Sequence, residues 1–139
     1  MSTKDEVREA SNKFYSGLNS MVNGKINAFA DAWSHNNSVT TMHPIGGREV
    51  GWDAVKKSFD QVAKMASEGK VELKDQLIQI LGDVAYEVGT EHAKFKLSGQ
   101  ELKGEVRVTN IYQRDGGKWK IIHHHTDIAP AMVEALSHI

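Results

Sequence analysis

The feature that most constrains the fold is a change in hydrophobic period near Gly69. Before this glycine, apolar side chains recur every three to four residues, as they do on one face of an α-helix. After it they alternate with polar side chains, as they do in strands with one buried face. Helices first and strands afterwards is the order typical of α+β proteins.

Three helical segments are predicted in the first half. The first begins at a capping box of Thr3 and Glu6, which satisfies free backbone N–H groups, and ends at Asn23-Gly24. The second has its apolar face between Ile26 and Trp33 and is ended by residues 35–38, and the third runs from about Trp52 to Ala66. Their apolar stripes are Val7, Ser11, Phe14, Leu18 and Met21; Ile26, Phe29, Ala30 and Trp33; and Val55, Phe59, Val62 and Ala66.

Five strands are predicted. Residues 39–43 form a short one that stops at Pro44, because proline has no N–H for a ladder, and Gly46-Gly47 forms a turn. Four long strands cover residues 71–81, 84–97, 102–113 and 118–127, separated by glycine-containing hairpin turns. Pro130 fits the first turn of a short C-terminal helix from Ala131 to His138.

These elements predict an α+β fold over residues 1–139 as a single domain. Three N-terminal helices would cover one face of a curved antiparallel sheet of mainly four long strands. The two layers would enclose a pocket sized for a small organic ligand.

Composition narrows the function classes. The chain has no cysteine, which excludes disulfides, iron–sulfur clusters and a cysteine nucleophile. Its 17 basic and 18 acidic residues give a formal charge of −1, so no field of one sign recruits nucleic acid or an anionic membrane. The first residues carry no apolar signal region and no stretch suits a membrane span, so we expect a cytoplasmic protein.

Histidine is the conspicuous residue, with seven in 139 residues and three in a row in the last strand. Strand geometry places His123, His125 and Asp127 on one face and His124 on the other. The first three could form a row of metal ligands, although one strand supplies at most a pair that points the same way. Alternatively they lie on the outer face or at a dimer contact, together with Trp119 and Ile121.

His43 is a candidate of a different kind, because it ends a strand directly before Pro44 and a glycine turn. A side chain there is held on a rigid edge and can face a cavity. Neutral imidazole near pH 7 can take or give a proton. The alternative is a hydrogen-bonded histidine at the rim that takes no part in a reaction.

Aromatic and polar side chains are candidates for lining the pocket. Trp33 and Trp52 bracket His43 in sequence and could serve both the core and the pocket wall. Tyr15 and Tyr112 could donate a hydrogen bond, although Tyr15 lies one position off the first helical stripe and could be exposed.

Arg107 and Thr109 share a strand face. An arginine that faces the cavity would indicate an anionic ligand, whereas the alternative is a solvated cross-strand partner of Glu105 or Glu91. The sequence contains no Gly-rich phosphate loop, no nucleophile elbow and no HExxH motif, which leaves phosphoryl transfer and nucleophilic acyl transfer without support.

Two segments carry a family resemblance. Residues 42–51, MHPIGGREVG, resemble the hallmark segment of SnoaL-like domains in the nuclear transport factor 2 superfamily. Residues 114–125, RDGGKWKIIHHH, are similar to the end of the calcium/calmodulin-dependent kinase II association domain. The resemblance spans essentially the whole chain and implies a cone-shaped α+β fold and a homodimer built across the sheet. The superfamily includes ketosteroid isomerase, polyketide cyclases, dehydratases and catalytically inert binding or assembly domains.

Comparison with ketosteroid isomerase implies an altered apparatus. The base of that enzyme precedes a proline, and the matching residue here is His43. Its tyrosine falls near Phe14, with Tyr15 next to it, and its neutral aspartic acid falls near Thr109. The catalytic carboxylates are absent, which argues against steroid isomerisation by that apparatus. His43 could still act as a base, with Thr109 or Arg107 as the electrophilic partner.

The same alignment turns Ile122, His124 and Thr126 toward the pocket and ranks His124 as the second catalytic candidate. The resemblance thus implies a cofactor-independent isomerase, cyclase or dehydratase that acts on a small hydrophobic or carbonyl compound through His43 and His124. The alternatives are a non-catalytic dimeric ligand-binding or association module and, third, a metal-dependent site at His123 and His125. A homodimer is expected because the convex sheet face would otherwise expose apolar side chains.

Overall fold

The computed structural model describes residues 1–137. Three helices are present: α1 (Thr3–Met21), α2 (Trp52–Met65) and α3 (Pro130–Leu136). Six strands are present: β1 (Thr40–His43), β2 (Gly46–Val50), β3 (Ala66–Leu81), β4 (Val84–Leu97), β5 (Gln100–Asp115) and β6 (Lys118–Thr126). His138, predicted within the last helix, lies outside the described residues.

All six strands form one sheet in the order β2-β1-β6-β5-β4-β3. The pairs from β3 to β6 are antiparallel, which confirms the predicted meander. β1 joins β6 in parallel, with Thr41 opposite His124. The fold is therefore the predicted α+β class, with helices on the inner face of a curved, open sheet.

β3 contributes to the curvature of the sheet at two points. Its pairing with β4 shifts between Ser67 and Lys70 and again between Lys74 and Leu77. Such bulges bend a strand and increase its twist. Gly89 on β4 permits the second bend, because a Cβ there would lie only 2.8 Å from the Lys74 carbonyl oxygen. The inner face becomes concave as a result.

The first helix follows its predicted stripe, but its cap is one residue earlier than expected. Ser2 Oγ accepts from the Asp5 N–H, and Asp5 Oδ2 accepts from the Ser2 N–H, so Ser2 and Asp5 form the capping box in place of Thr3 and Glu6. Tyr15 is buried against the sheet, which corrects the expectation that it could be exposed.

The segment predicted as the second helix contains only one 3₁₀ turn, Ala30–Ala32. Trp33 forms an isolated parallel bridge with Ile121, and the Ser34 N–H donates to the Ile121 carbonyl at 3.1 Å. A continuing helix would use these backbone groups internally, so edge pairing with β6 ends the helical conformation. The apolar stripe is still buried through Phe29 and Trp33.

Gly46 and Gly47 begin β2 and do not form the turn that the sequence predicts. The turn is Pro44-Ile45, and His43 pairs with Gly46 across it. Both glycines have positive φ, 97° and 83°, a region that other residues rarely adopt. The hairpin adds a sixth strand that sequence periodicity did not reveal.

The main core lies between the helices and the inner face of the sheet. Its largest fully buried side chains include Trp33, Tyr112, Phe14 and Phe29. A smaller cluster holds α3 against β5 through Leu102, Val106 and Met132. No helix within residues 1–137 has the length and hydropathy needed to cross a membrane.

Candidate functional site

A row of polar side chains crosses the inner face of the sheet. Glu87, Asn110 and His124 are register partners on β4, β5 and β6. Thr41 on β1 continues the row, because it pairs with His124. All four side chains are buried. Since adjacent strands are only about 4.8 Å apart, the row forms one connected polar layer inside the core.

Asn110 determines which nitrogen of His124 carries the proton. Asn110 Nδ2 donates to Tyr15 OH at 3.0 Å and to Glu87 Oε1 at 2.9 Å, so Oδ1 is its remaining acceptor. His124 Nδ1 lies 2.6 Å from that oxygen and therefore donates to it. This tautomer follows from the hydrogen-bond network. It leaves Nε2 of His124 with a free lone pair.

Glu87 is fully supplied with donors. Oε1 accepts from Asn110 Nδ2 and from Tyr112 OH at 2.8 Å, and Oε2 accepts from Gln76 Nε2 at 2.7 Å. Both oxygens act as acceptors, as in a carboxylate. This carboxylate is the anchor to which the other polar groups of the layer are oriented.

Glu91 is the second inward carboxyl group of β4, and it has fewer partners. Oε2 accepts from Tyr15 OH at 2.8 Å. Burial raises the pKa of Glu91 to about 7, with a further contribution from Glu87, although the Tyr15 hydrogen bond opposes this shift. A carboxyl group with this pKa exchanges its proton near neutral pH.

Glu91 and His124 form a close pair with inverted pKa order. His124 Nε2 lies 3.8 Å from Glu91 Oε2. His124 is 4% exposed and Glu91 is 6% exposed. Burial lowers the pKa of His124 to about 3, and neighbouring His43 contributes to this shift. At neutral pH the imidazole is neutral, and the proton of the pair resides on Glu91 when present. Two adjacent groups with separated pKa values are the usual arrangement for acid–base chemistry.

His43 lies at the edge of this layer and is buried. Its Nε2 is 2.9 Å from Glu49 Oε2 and 3.1 Å from Ser58 Oγ. Burial lowers the pKa of His43, whereas Glu49 acts in the opposite direction. Serine and carboxylate share the same ring nitrogen, so the group is not a nucleophilic triad, in which they occupy different nitrogens.

The predicted aromatic residues divide between the site and its surroundings. The Phe14 ring lies 5.0 Å from those of His124 and Tyr15, and 6.1 Å from that of Trp33. Phe14 and Trp33 therefore form the wall beside the polar layer. Trp52 is half-buried and stacks on His35 at 4.3 Å, farther toward the surface.

Arg107 and Thr109 lie on the opposite side of the sheet from the polar layer, contrary to the prediction. The Arg107 side chain is 84% exposed and contacts Asp127, with 2.8 Å between Nε and Oδ2. The inward positions of β5 are Val106, Val108 and Asn110. The ketosteroid isomerase alignment was thus displaced by one residue here, and Asn110 occupies the inward position expected for Thr109.

A bulge in β6 corrects the expected facing of its side chains. Tyr112 pairs with Ile121 and Ile111 pairs with His123, which leaves Ile122 without a register partner. Ile121 and Trp119 are consequently in the core, and Ile122 is half-buried. The expected exposure of Trp119 and Ile121 on the convex face was therefore wrong.

Three unpartnered polar atoms accompany the site. Trp33 Nε1, Thr41 Oγ1 and Thr126 Oγ1 are buried without a hydrogen-bond partner among residues 1–137. Buried polar groups are nearly always hydrogen-bonded in folded proteins. Thr41 lies beside His124 in register, so at least one of these atoms belongs to the same layer.

Sequence reasoning missed Glu87, Glu91 and Asn110. The alternation of Leu102, Val106, Val108 and Tyr112 does place Asn110 on the buried face, so that residue was predictable. The β4 pattern was not decisive, because Val84, Tyr86 and Val88 make the outer face as apolar as the inner one. Only the pairing of β4 with β5 assigns the two glutamates to the interior.

Two pockets lie elsewhere on the molecule. One, of about 490 Å³, is on the outer sheet face, and its lining includes Leu77, Arg107 and His125. The other, of about 480 Å³, lies between α1 and the β5–β6 turn. Within residues 1–137, no group of three or more His, Cys, Asp or Glu side chains is arranged to hold a metal ion.

Solved structures similar to this chain share its fold. A protein described as a candidate dehydratase of the nuclear transport factor 2-like family from Streptomyces avermitilis is 22% identical, with a TM-score of 0.78 over 91% of this chain and 96% of the other. A protein of the nuclear transport factor 2-like superfamily from Salmonella enterica is 18% identical, with a TM-score of 0.78 over 91% of each chain.

A third structure, described as a candidate calcium/calmodulin-dependent protein kinase II association domain from Xanthomonas campestris, is 18% identical, with a TM-score of 0.74 over 94% of this chain and 90% of the other. No curated protein matches the chain significantly. The sequence profile of the SnoaL-like domain matches residues 7–131. Fold and profile agree with the predicted resemblance, and the chain belongs to the SnoaL-like domain family.

Proposed function

We propose that this chain is a cofactor-independent enzyme that moves a proton on a small organic compound, with His124 as the proton acceptor. The observation that carries the proposal is the neutral, buried imidazole of His124, whose Nε2 lone pair is free and lies 3.8 Å from Glu91 Oε2. Above pH 7, Glu91 is ionised, and its carboxylate, which has the higher pKa of the two groups, shares and stabilises the proton that Nε2 takes from the substrate.

Two reactions follow from this arrangement. In an isomerisation, Nε2 takes a proton from a carbon next to a carbonyl, and the imidazolium returns it to a different carbon. In a dehydration, Nε2 takes the same proton and gives it to the departing hydroxyl group, so that one double bond forms and one water leaves. Neither reaction needs a cofactor, because the ring returns to its neutral form. The Streptomyces avermitilis neighbour described as a candidate dehydratase is consistent with the second.

The other predicted residues take supporting roles in this proposal. Phe14 and Trp33 form the wall beside the ring, and Tyr15 orients Glu91. His43 is the second titratable group near His124, and its partner Glu49 is 28% exposed, so this pair connects the polar layer with the surface. Because His124 is only 4% exposed, substrate access requires displacement of the side chains that cover it.

Deuterium exchange tests the proposal even though the substrate is unidentified. A panel of small ketones and β-hydroxy carbonyl compounds is incubated with the protein in D₂O, and α-carbon exchange and water loss are followed by NMR. We expect His124→Gln to reduce the rate by about 10²–10⁴-fold. The matched control is His125→Gln, which changes the exposed neighbour on the outer face and should leave the rate unchanged. Full activity in His124→Gln would contradict the assignment.

A homodimeric association module is the second candidate, and the outer sheet face favours it. Leu77 is 48% exposed and Tyr86 is 36% exposed on this face, near the 490 Å³ pocket. Exposed apolar side chains around a depression are typical of an interface. Sedimentation should show a dimer at micromolar concentration and a monomer for Leu77→Glu. A wild-type monomer would remove this candidate.

A further inference from the structure

Two carboxyl groups lie in the interior of the site without a buried lysine or arginine beside them in the described part of the chain. Glu87 and Glu91 are both buried on the inner face of β4, and no lysine or arginine is buried within residues 1–137. The histidines of the layer do not compensate, because burial lowers the pKa of His43 and of His124. Buried carboxylates are normally paired with a cation or a metal ion.

The free hydrogen-bonding atoms of the layer are acceptors. Both oxygens of Glu87 are occupied by donors. Among the described residues, no hydrogen bond reaches Oε1 of Glu91, and Nε2 of His124 is an unprotonated lone pair. Two acceptors of the layer therefore lack donors among the described residues. A ligand with N–H donors would satisfy Oε1 of Glu91 and leave Nε2 of His124 available.

Two unpartnered hydroxyl groups point to a ligand independently of the carboxylates. Thr41 Oγ1 and Thr126 Oγ1 are buried and have no hydrogen-bond partner in the part of the chain that the structure describes. Thr41 lies beside His124 on β1, on the same inner face. Hydroxyl oxygens can accept further N–H donors.

The wall of the site is aromatic. Phe14 lies 5.0 Å from the His124 ring, and Trp33 lies 6.1 Å from Phe14. Aromatic faces attract cations, and the attraction increases when the cation is desolvated. An anion would meet neither a cation nor an attractive ring face here.

We propose that the inner site selects a small organic ammonium ion, held by Glu91 and the aromatic wall, and excludes carboxylates and phosphates of similar shape. The inference rests on the proposed function, because it names the substrate class of the same site. The ammonium donates to Glu91 Oε1, while His124 Nε2 remains available as the proton acceptor.

Affinity for the cation should rise with pH through about 7, since Glu91 must be ionised to pair with it. The titratable groups that face Glu91 are Tyr15 from α1, Glu87 from β4, Tyr112 from β5 and His124 from β6. The two tyrosines do not ionise in this range, because burial raises the pKa of each. The pKa of His124 is lowered to about 3, so Glu91 governs the change.

Three probes of matched shape test the inference: benzylamine, benzyl alcohol and benzoate, measured by calorimetry with the full chain at pH 8 and pH 5.5. At pH 8 we expect benzylamine to bind about tenfold or more tightly than the alcohol, the usual scale for one charge-assisted hydrogen bond, and benzoate to bind most weakly. The preference should shrink several-fold at pH 5.5.

Glu91→Gln should abolish the preference for the amine, whereas Glu105→Gln, an exposed glutamate on β5, should preserve it. The pH dependence of the wild-type chain provides the test should Glu91→Gln not fold. The inference is overturned by equal or tighter binding of the alcohol or benzoate at pH 8, by an unchanged preference in Glu91→Gln, or by no binding of the amine at millimolar concentration. If the amine binds but the protein transfers a proton on no substrate, the proposed function is contradicted and this inference stands. If the protein transfers protons only on uncharged substrates, this inference is contradicted and the proposed function stands.

Discussion

The two faces of β6 place the same residue type in opposite environments. On the inner face, His124 donates to Asn110, lies beside Glu91 and is almost fully buried. On the outer face, the rings of His123 and His125 meet edge to face with 5.9 Å between their centres, and His123 Nδ1 contacts Thr40 Oγ1 at 2.6 Å. The comparison teaches that facing and hydrogen-bond partners, more than residue type, determine the chemistry available to a histidine.

The same contrast applies to the glutamates. Glu87 and Glu91 are inside, with tyrosine and amide donors, whereas Glu105 on β5 is exposed beside His92. A carboxyl group in water gains little from a surface partner. Inside, each missing donor or acceptor leaves a desolvated group unpaired.

The largest effect should come from Glu87→Ala. The change leaves Asn110 Nδ2, Tyr112 OH and Gln76 Nε2 without their common acceptor. Asn110 and Tyr112 are buried, whereas Gln76 is exposed. Each buried unsatisfied group costs about 1–3 kcal/mol, so these two groups predict a loss of about 4 kcal/mol in the free energy of unfolding. Urea denaturation measures it, with Glu105→Ala as the outer-face control. A loss below about 1 kcal/mol would mean that the inner network contributes little.

The next effect concerns acid stability and His124. Its folded pKa is about 3, below the unfolded value of 6.5, so between these values only the unfolded chain binds the proton. The contribution of His124 to the free energy of unfolding is fully present above pH 6.5 and is lost as the pH falls toward 3. In Glu91→Gln this pH dependence of stability should be seen alone. We expect its free energy of unfolding to fall by an amount on the order of 3 kcal/mol between about pH 6.5 and 4, since each pH unit is worth about 1.4 kcal/mol. A flat profile in Glu91→Gln would contradict it.

Glu91 should change the stability of the folded chain with pH in the opposite direction. Its folded pKa is about 7, above the unfolded value of 4.5, so in this window the folded chain holds a proton that the unfolded chain has lost. The contribution of Glu91 to the free energy of unfolding is fully present below pH 4.5 and declines as the pH rises to 7. His124→Gln should therefore gain on the order of 2 kcal/mol when acidified from about pH 7 to 5. In the wild-type chain the pH dependences of the His124 and Glu91 contributions nearly cancel. A free energy of unfolding that changes strongly with pH in the wild-type chain would contradict these assignments.

The smallest effects are expected on the outer face. His125→Gln and Leu77→Ala remove exposed side chains that lack the inner network, so each should change the free energy of unfolding by about 0.5 kcal/mol or less in the monomer. Denaturation at low protein concentration checks this. A larger loss for Leu77→Ala that grows with protein concentration would indicate the homodimer.

The sequence predicted the scaffold well where a pattern is local. The stripe of Phe14 and Leu18 and the glycine turns at Gly82 and Gly99 lie where expected. It failed where backbone pairing overrides the pattern. Trp33 ends a helical segment by joining β6, and the bulge at Ile122 reverses the facing of Ile121. A one-residue bulge moves every following side chain to the other face, and periodicity alone does not reveal it.

The site was predicted in part for the same reason. His43 and His124 are buried, and Phe14, Tyr15 and Trp33 lie beside the polar layer, whereas Arg107 and Thr109 point away. The glutamates were missed because a buried carboxyl group depends on donors from distant segments: Tyr15 is 76 residues from Glu91 in sequence. Catalytic roles for His43 and His124 stay predictions.

The most direct test of the account is the imidazole nitrogen spectrum of His124, assigned by its disappearance in His124→Gln. We expect a neutral ring with the proton on Nδ1 and a free Nε2 throughout pH 5–8, in keeping with a pKa of about 3. A ring that becomes an imidazolium near pH 6.5, or that carries its proton on Nε2 at pH 7, would contradict it.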